Sequence, residues 1–256
     1  MTKDILSENK KRYHLIDSIR GFAVINMVLF HLMYDIYMIY FTNSWAYQPL
    51  VILWERFICF TFILISGMSF NFSRNTWKNG IVVSLMGFVV TAVTVIAMPS
   101  QAIWFGILNL LGCSMLIASP LKVYAEKIPP LVGAAVSLLL FAITYGIPRH
   151  FIGFFSIRLV ELPQSLYQCK YLAFLGFPSP DFRSTDFFPL LPWVFLFFAG
   201  VFIWKLIEKH HAEKYFEKKI PVLNVIGKYS LWIYLAHQPV IMLVLYVTLM
   251  IFIFNG

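Results

Sequence analysis

The amino-acid sequence predicts an all-α integral membrane protein: a bundle of about seven transmembrane helices, N-terminus cytoplasmic, with one long outer loop between helices 5 and 6. Three observations predict it. Of 256 residues, 60% are hydrophobic and only 12% charged, where soluble domains are about half apolar and about a quarter charged. The apolar residues gather into seven runs of roughly spanning length. The lysines and arginines concentrate in alternate connections between those runs.

Residues 1–19 read as a cytoplasmic tail carrying Lys3, Lys10, Lys11 and Arg12. The first run, Gly21–Tyr40, is long enough to span and has no small-residue cleavage site after it, so it is expected to stay in the protein rather than leave as a signal peptide. The remaining runs are Leu50–Phe70, Gly80–Met98, Ala102–Ala118, Leu131–Ile147, Phe187–Leu206 and Ser230–Phe254, with proline, glycine and asparagine marking the turns between them. Two of these are short for a span, which helices buried among others tolerate.

Orientation follows from the basic residues. Arg20, Arg74, Lys78, Lys122, Lys127, Lys205, Lys209, Lys214, Lys218, Lys219 and Lys228 fall on the same side as the tail. Arg149, Arg158, Lys170 and Arg183 fall on the other, and Arg56 remains at membrane depth. This places the C-terminus outside and suits a multi-pass protein of the plasma or inner membrane. The connection at 148–186 is the long extracytoplasmic loop; its apolar stretches predict an interfacial helix or a partly re-entrant segment over the outer mouth. The whole chain reads as one transmembrane domain.

A net charge of +8 points to no nucleic acid, because the charges sit in short clusters beside apolar runs. Cys59, Cys113 and Cys169 lack metal-ligand spacing and read as packing residues. A homodimer is compatible with the sequence, which does not decide the oligomeric state.

The chemistry lies in polar groups at membrane depth. At 1.5 Å per helical residue His31 is about 16 Å from Arg20, near the middle of a hydrocarbon core about 30 Å thick. His237 lies about 13 Å past Lys228, so both histidines reach similar depth from one side. Asp35 is one turn beyond His31, at about the depth of Glu55 and Arg56. Asn109 is expected about seven residues inside the fourth span. Gln238 and Pro239 follow His237, and the proline frees a backbone carbonyl. Such groups face a bundle interior or a wet cavity and pair there. Pairing of Asp35 or Glu55 with Arg56, with both histidines as interhelical hydrogen-bond partners, is the structural reading. Two histidines converging beneath a layer of carboxylates and arginine is the site reading. In it, His31 accepts a proton near neutral pH; Asp35 orients its ring or is taken by Arg56. Arg20 and Lys228 at the cytoplasmic end suit the phosphates of a cytoplasmic cofactor. No metal is expected.

Five blocks then carry a resemblance: HLIDSIRGFAVINMVLFHLMYD (His14–Asp35), RFICFTFILISGMSF (Arg56–Phe70), WFGILNLLG (Trp104–Gly112), DFFPLLPWVFLFFAG (Asp186–Gly200) and IGKYSLWIYLAHQPV (Ile226–Val240). In this order they resemble the heparan-α-glucosaminide N-acetyltransferase-like catalytic domain family, with Lys228 where that family usually has arginine. The Arg20-x10-His31 spacing is also similar to the signature of the wider transmembrane acyltransferase superfamily. The resemblance implies transfer of an acetyl group from cytoplasmic acetyl-CoA, or a related acyl-CoA, to a hydroxyl or amine of a sugar-containing acceptor on the opposite side. His31 would be the general base, with His237, Gln238 or Asn109 donating to the oxyanion. By position it carries over Asp17, Arg20, Asn109, Asp186 and His237. Asp186 would bind acceptor hydroxyls or cap the helix beginning at Pro189. Trp193 would line the acceptor mouth or anchor at the interface. The alternative function is a proton-coupled transporter using the same His, Asp, Glu and Arg groups, although no inverted repeat is evident.

Overall fold

The structure, a computed structural model, describes residues 12–40 and 43–255; Lys3, Lys10 and Lys11 of the predicted tail lie outside them. Among the described residues are eight α-helices: α1 (His14–Tyr40), α2 (Pro49–Phe70), α3 (Thr76–Ala97), α4 (Ile107–Lys127), α5 (Pro130–Thr144), α6 (Leu190–Lys209), α7 (Pro221–Lys228) and α8 (Ser230–Asn255). Seven segments are long and apolar enough to cross a membrane, one at each of these helices except α7. The protein is an all-α membrane protein, as its composition predicts. Residues Met1–Thr61 and Ile207–Gly256 form one compact unit and Phe62–Leu206 a second.

In the first unit α1 is the hub, packed against α7, α8 and the short 3-10 turn Glu213–Glu217. Its polar side chains bond back along the helix: Ser18 Oγ donates to the His14 carbonyl at 3.0 Å and Asn26 Nδ2 to the Phe22 carbonyl at 2.9 Å. The Asn26 oxygen then accepts from Trp54 Nε1 at 3.0 Å, tying α1 to α2. Satisfied in this way, such groups are tolerated inside an apolar helix. α1 starts at His14, seven residues before the predicted first run, so Asp17 and Arg20 lie inside the helix.

α7 is held to α1 by close backbone approach. A Cβ on Gly21 would collide with the Leu223 carbonyl, and one on Gly227 with the Asp17 carbonyl. Asn224 Nδ2 donates to the His14 carbonyl at 3.0 Å across the same contact.

In the second unit α3 buries only Gly80, Ser84, Gly87 and Thr91 and packs these small residues against α4, the usual means of close helix approach in lipid. Gly67 of α2 and Gly200 of α6 meet similarly: a Cβ on either would strike the other helix's backbone.

One expectation is corrected in this unit. The fourth helix begins at Ile107, not Ala102, because Pro99–Gln101 forms a 3-10 turn and Phe105 takes a φ of 56°. It continues through Pro120 to Lys127 and ends before Pro129 and Pro130, the exposed Pro120 forfeiting one backbone donor without breaking it. The loop 148–186 holds no α-helix. It opens with an antiparallel hairpin, β1 (Phe151–Phe154) and β2 (Ile157–Glu161), followed by 3-10 turns at Gln164–Tyr167 and Lys170–Leu175. The hairpin turn, Phe155-Ser156, puts Phe155 at φ 50°, and Gly153 is required where the Ile157 carbonyl crowds its α-carbon. β1 packs on α5, and the guanidinium carbons of Arg149 and Arg158 lie 5.8 and 5.2 Å from the Phe151 ring centre.

Candidate functional site

Four polar side chains come together where α1 meets α8 in the first unit. The imidazoles of His31 and His237 lie 4.8 Å apart between ring centres, tilted by 56°. The Phe30 ring stands edge-on to His31 at 5.9 Å, and Tyr234 lies 5.5 Å from His237. Beside the histidines, Gln238 Nε2 donates to Asp35 Oδ2 at 2.7 Å, and Asp35 is only 8% exposed.

The bonding of His237 defines its protonation pattern. Its Nδ1 is within hydrogen-bond distance of the Tyr234 carbonyl oxygen, one turn back in α8. A carbonyl can only accept, so Nδ1 carries the hydrogen and the neutral ring presents a lone pair at Nε2. That Nε2 is buried and has no hydrogen-bond partner among the described residues. The same reasoning applies to Gln238: its amide nitrogen faces the acceptor-only carboxylate of Asp35, leaving Oε1 buried and unpartnered among the described residues. Pro239 additionally leaves the Leu235 carbonyl without its usual donor four residues on. The cluster is therefore rich in acceptors and poor in donors. Its chemical complement is a group that brings N–H or O–H hydrogens, and it can take a proton from such a group.

The sequence reading is refined here. Gln238 takes an oxygen of the Asp35 carboxylate. Arg56 lies 3.7 Å from Glu55, the other carboxylate offered for it, both about one-third exposed. His237 and Gln238 were expected as oxyanion donors. In its neutral form His237 is an acceptor at Nε2, and one N–H of Gln238 is already engaged.

The basic residues assigned to cofactor phosphates gather where α1 meets α7. Asp17 bridges two arginines, with Arg12 Nη2 at 2.8 Å and Arg20 Nη1 at 3.0 Å. Lys228 is exposed, its ammonium 5.4 Å from the Tyr229 ring centre. Arg20 and His31 thus stand on one helix about 16 Å apart.

The remaining predicted residues belong to the second unit. Asn109 is the third residue of α4, not seven residues inside it, 3% exposed and against Gly87. Asp186 caps α4: its Oδ2 accepts from the Ile107 N–H at 3.5 Å, a favourable position for a carboxylate at a helix N-terminus. Ser184 joins the same two segments, accepting from the Trp104 N–H at 2.9 Å and donating to the Trp104 carbonyl at 3.0 Å. Trp193 is 5% exposed and packs with Phe141 and Phe188. Sequence reasoning missed the Asp35–Gln238 pairing; its available signal was two polar residues at matching depth on different spans. Among the described residues no group of three or more His, Cys, Asp or Glu side chains is arranged to hold a metal ion.

Residues 12–239 match the family described as heparan-alpha-glucosaminide N-acetyltransferase, catalytic. The chain belongs to this family. The matched region runs from the start of α1 to Pro239 and so contains all four residues of the α1–α8 cluster. Family membership makes the chain a member of a membrane acetyltransferase family, and the seven spanning-length helices agree. No curated protein and no solved structure matches the chain.

Proposed function

We propose that this protein is an integral-membrane acetyltransferase moving the acetyl group of cytoplasmic acetyl-CoA to a hydroxyl or amine of an extracytoplasmic, sugar-containing acceptor, with the His31–His237 pair as the proton-accepting site. The single observation that carries the reading is the buried, unpartnered Nε2 lone pair of His237 beside the His31 ring on helices of spanning length. In a low-dielectric interior an unmade hydrogen bond is costly, so the lone pair is retained where a substrate hydrogen completes it.

The step balances as follows. The acceptor's O–H or N–H donates to the imidazole while its oxygen or nitrogen bonds to the thioester carbonyl carbon. The carbon–sulfur bond breaks, and the imidazolium returns the proton to the departing thiolate. The products are the acetylated acceptor and CoA thiol. Between these events the protonated ring is a donor to the developing oxyanion, the role it lacks when neutral. Asp35 holds Gln238 so that Oε1 remains an acceptor for a second acceptor hydrogen. Arg20 and Lys228 attract the CoA phosphates at the end of α1, and the extended pantetheine arm covers the distance to His31. In this reading the N-terminus is cytoplasmic.

The test uses purified full-length protein in proteoliposomes with isotope-labelled acetyl-CoA and sugar acceptors offered on the opposite side. Wild type transfers label; His31→Ala inserts into the membrane normally and does not. Full transfer by His31→Ala together with His237→Ala overturns the assignment. Solute flux without acyl-CoA would establish the transporter alternative.

A further inference from the structure

The second unit holds a cavity remote in sequence from the histidine pair. It is open, about 320 Å³, and lies on the long loop, at the small end of the range of about 300–1,000 Å³ for small-molecule sites. Arg183, His150, Ser179 and Ser184 contribute its polar lining, and Phe182, Phe187 and two prolines its apolar walls.

Arg183 and His150 are held in place without using up their donors. Arg183 Nη1 donates to the carbonyls of Pro180 at 2.8 Å and Phe182 at 2.9 Å. Its Nε and Nη2 have no protein acceptor among the described residues, and Asp181 next to it forms no ion pair with it there. His150 has a φ of 71°, a left-handed conformation uncommon for a residue other than glycine. Its backbone is fixed on both sides: its N–H donates to the Ile147 carbonyl at 3.0 Å, and its carbonyl accepts from Leu162 N–H at 2.8 Å. Its ring stacks 3.6 Å from the centre of the buried Tyr167 ring. Tyr167 in turn donates its hydroxyl to the Ile147 carbonyl; burial pushes its phenol pKa up, so it stays neutral and keeps that hydrogen. Stacking therefore sets the imidazole direction, and no ring nitrogen is consumed by protein among the described residues. Strained backbone held this firmly is characteristic of ligand clamps.

We propose that this cavity binds a small organic anion: a carboxylate or phosphate carried on a hexose-sized ring. The guanidinium fork and the imidazole N–H take the anion, Ser179 a ring hydroxyl, and the phenylalanine and proline walls the C–H face of the ring. The inference does not depend on the transfer reaction proposed above.

Isothermal titration of the detergent-purified full chain with glucuronate, glucose 6-phosphate, glucose and inorganic phosphate tests it. Glucuronate or glucose 6-phosphate gives saturable binding, the one that binds identifying the anion; glucose gives none, and inorganic phosphate binds more weakly than the charged sugar. Arg183→Gln weakens binding roughly tenfold or more, and Arg183→Lys restores part of it. His150→Asn keeps the left-handed backbone, which asparagine tolerates, removes the stacked ring and also weakens binding. Absence of binding by both charged sugars, equal binding of glucose, or unchanged affinity in folded Arg183→Gln and His150→Asn overturns the proposal.

Discussion

Gln238 on α8 donates its side-chain amide to the Asp35 carboxylate on α1 at 2.7 Å. This bond joins two helices at a buried position and fixes which end of the amide remains an acceptor. Asp35→Ala leaves an amide donor unmade and costs about 1–3 kcal/mol. Gln238→Ala costs at least as much, because it leaves a buried carboxylate unpaired. A double-mutant cycle read by thermal unfolding gives a combined loss smaller than the sum of the single losses. Simple additivity would mean the two groups do not interact.

The histidine pair is tested by the separate variants. His31→Ala and His237→Ala each lower acetyl transfer by about 10²–10⁴-fold, the range of a positioned general base, while the melting temperature changes little. A drop of less than about threefold in either would remove that residue from the proton path. Asn substituted for His237 restores hydrogen bonding but not basicity, so it remains slow.

Acetyl-CoA is expected to raise the melting temperature of the purified protein. Ligand at about a hundred times Kd stabilises by about 2.7 kcal/mol. Arg20→Gln with Lys228→Gln shrinks this shift, whereas Lys122→Gln leaves it intact. If all three proteins respond equally, the phosphates bind elsewhere.

The α1–α7 contact sets the end of the helix that carries Arg20. Gly21→Ala and Gly227→Ala drive a methyl group into facing backbone carbonyls, and each lowers stability by about 1–3 kcal/mol. Differential scanning fluorimetry measures it; unchanged melting of both variants would show that the helices are not in this close contact.

Orientation can be read with a native cysteine. Cys169 is exposed, Cys59 is buried and Cys113 is half-buried. A membrane-impermeant maleimide added to sealed vesicles with the outer face exposed labels Cys169, because the 148–186 loop is assigned to the outer side. Labelling that requires permeabilisation would reverse the assignment.

Much of the candidate site was legible in the residues themselves. His31 and His237 stood at matching depths because helical rise converts sequence distance from Arg20 and Lys228 into depth. Asp35 and Gln238 were visible as polar groups too costly to leave in lipid. Their partnership was not, because depth specifies height along a helix but not which neighbour a side chain turns towards. Asn109 was placed too deep for a related reason. It was counted from a helix start that Phe105 and Gly106 displace. The hairpin in the loop escaped notice because its turn is Phe-Ser, without the glycine or asparagine that usually marks a positive φ.

Hydrophobic content and run length were enough by themselves to settle that this chain forms helices of membrane-spanning length. Those properties arise from transfer of each residue between water and lipid, which sums along the chain without reference to neighbours. Only tertiary structure decided that Nε2 of His237 is left as a bare acceptor beside His31, that Gln238 claims Asp35, and that Asp186 caps α4. Such outcomes depend on direction and reach, since a hydrogen bond forms only between atoms about 3 Å apart and suitably aimed, and residues some two hundred positions apart satisfy that only once the helices are packed.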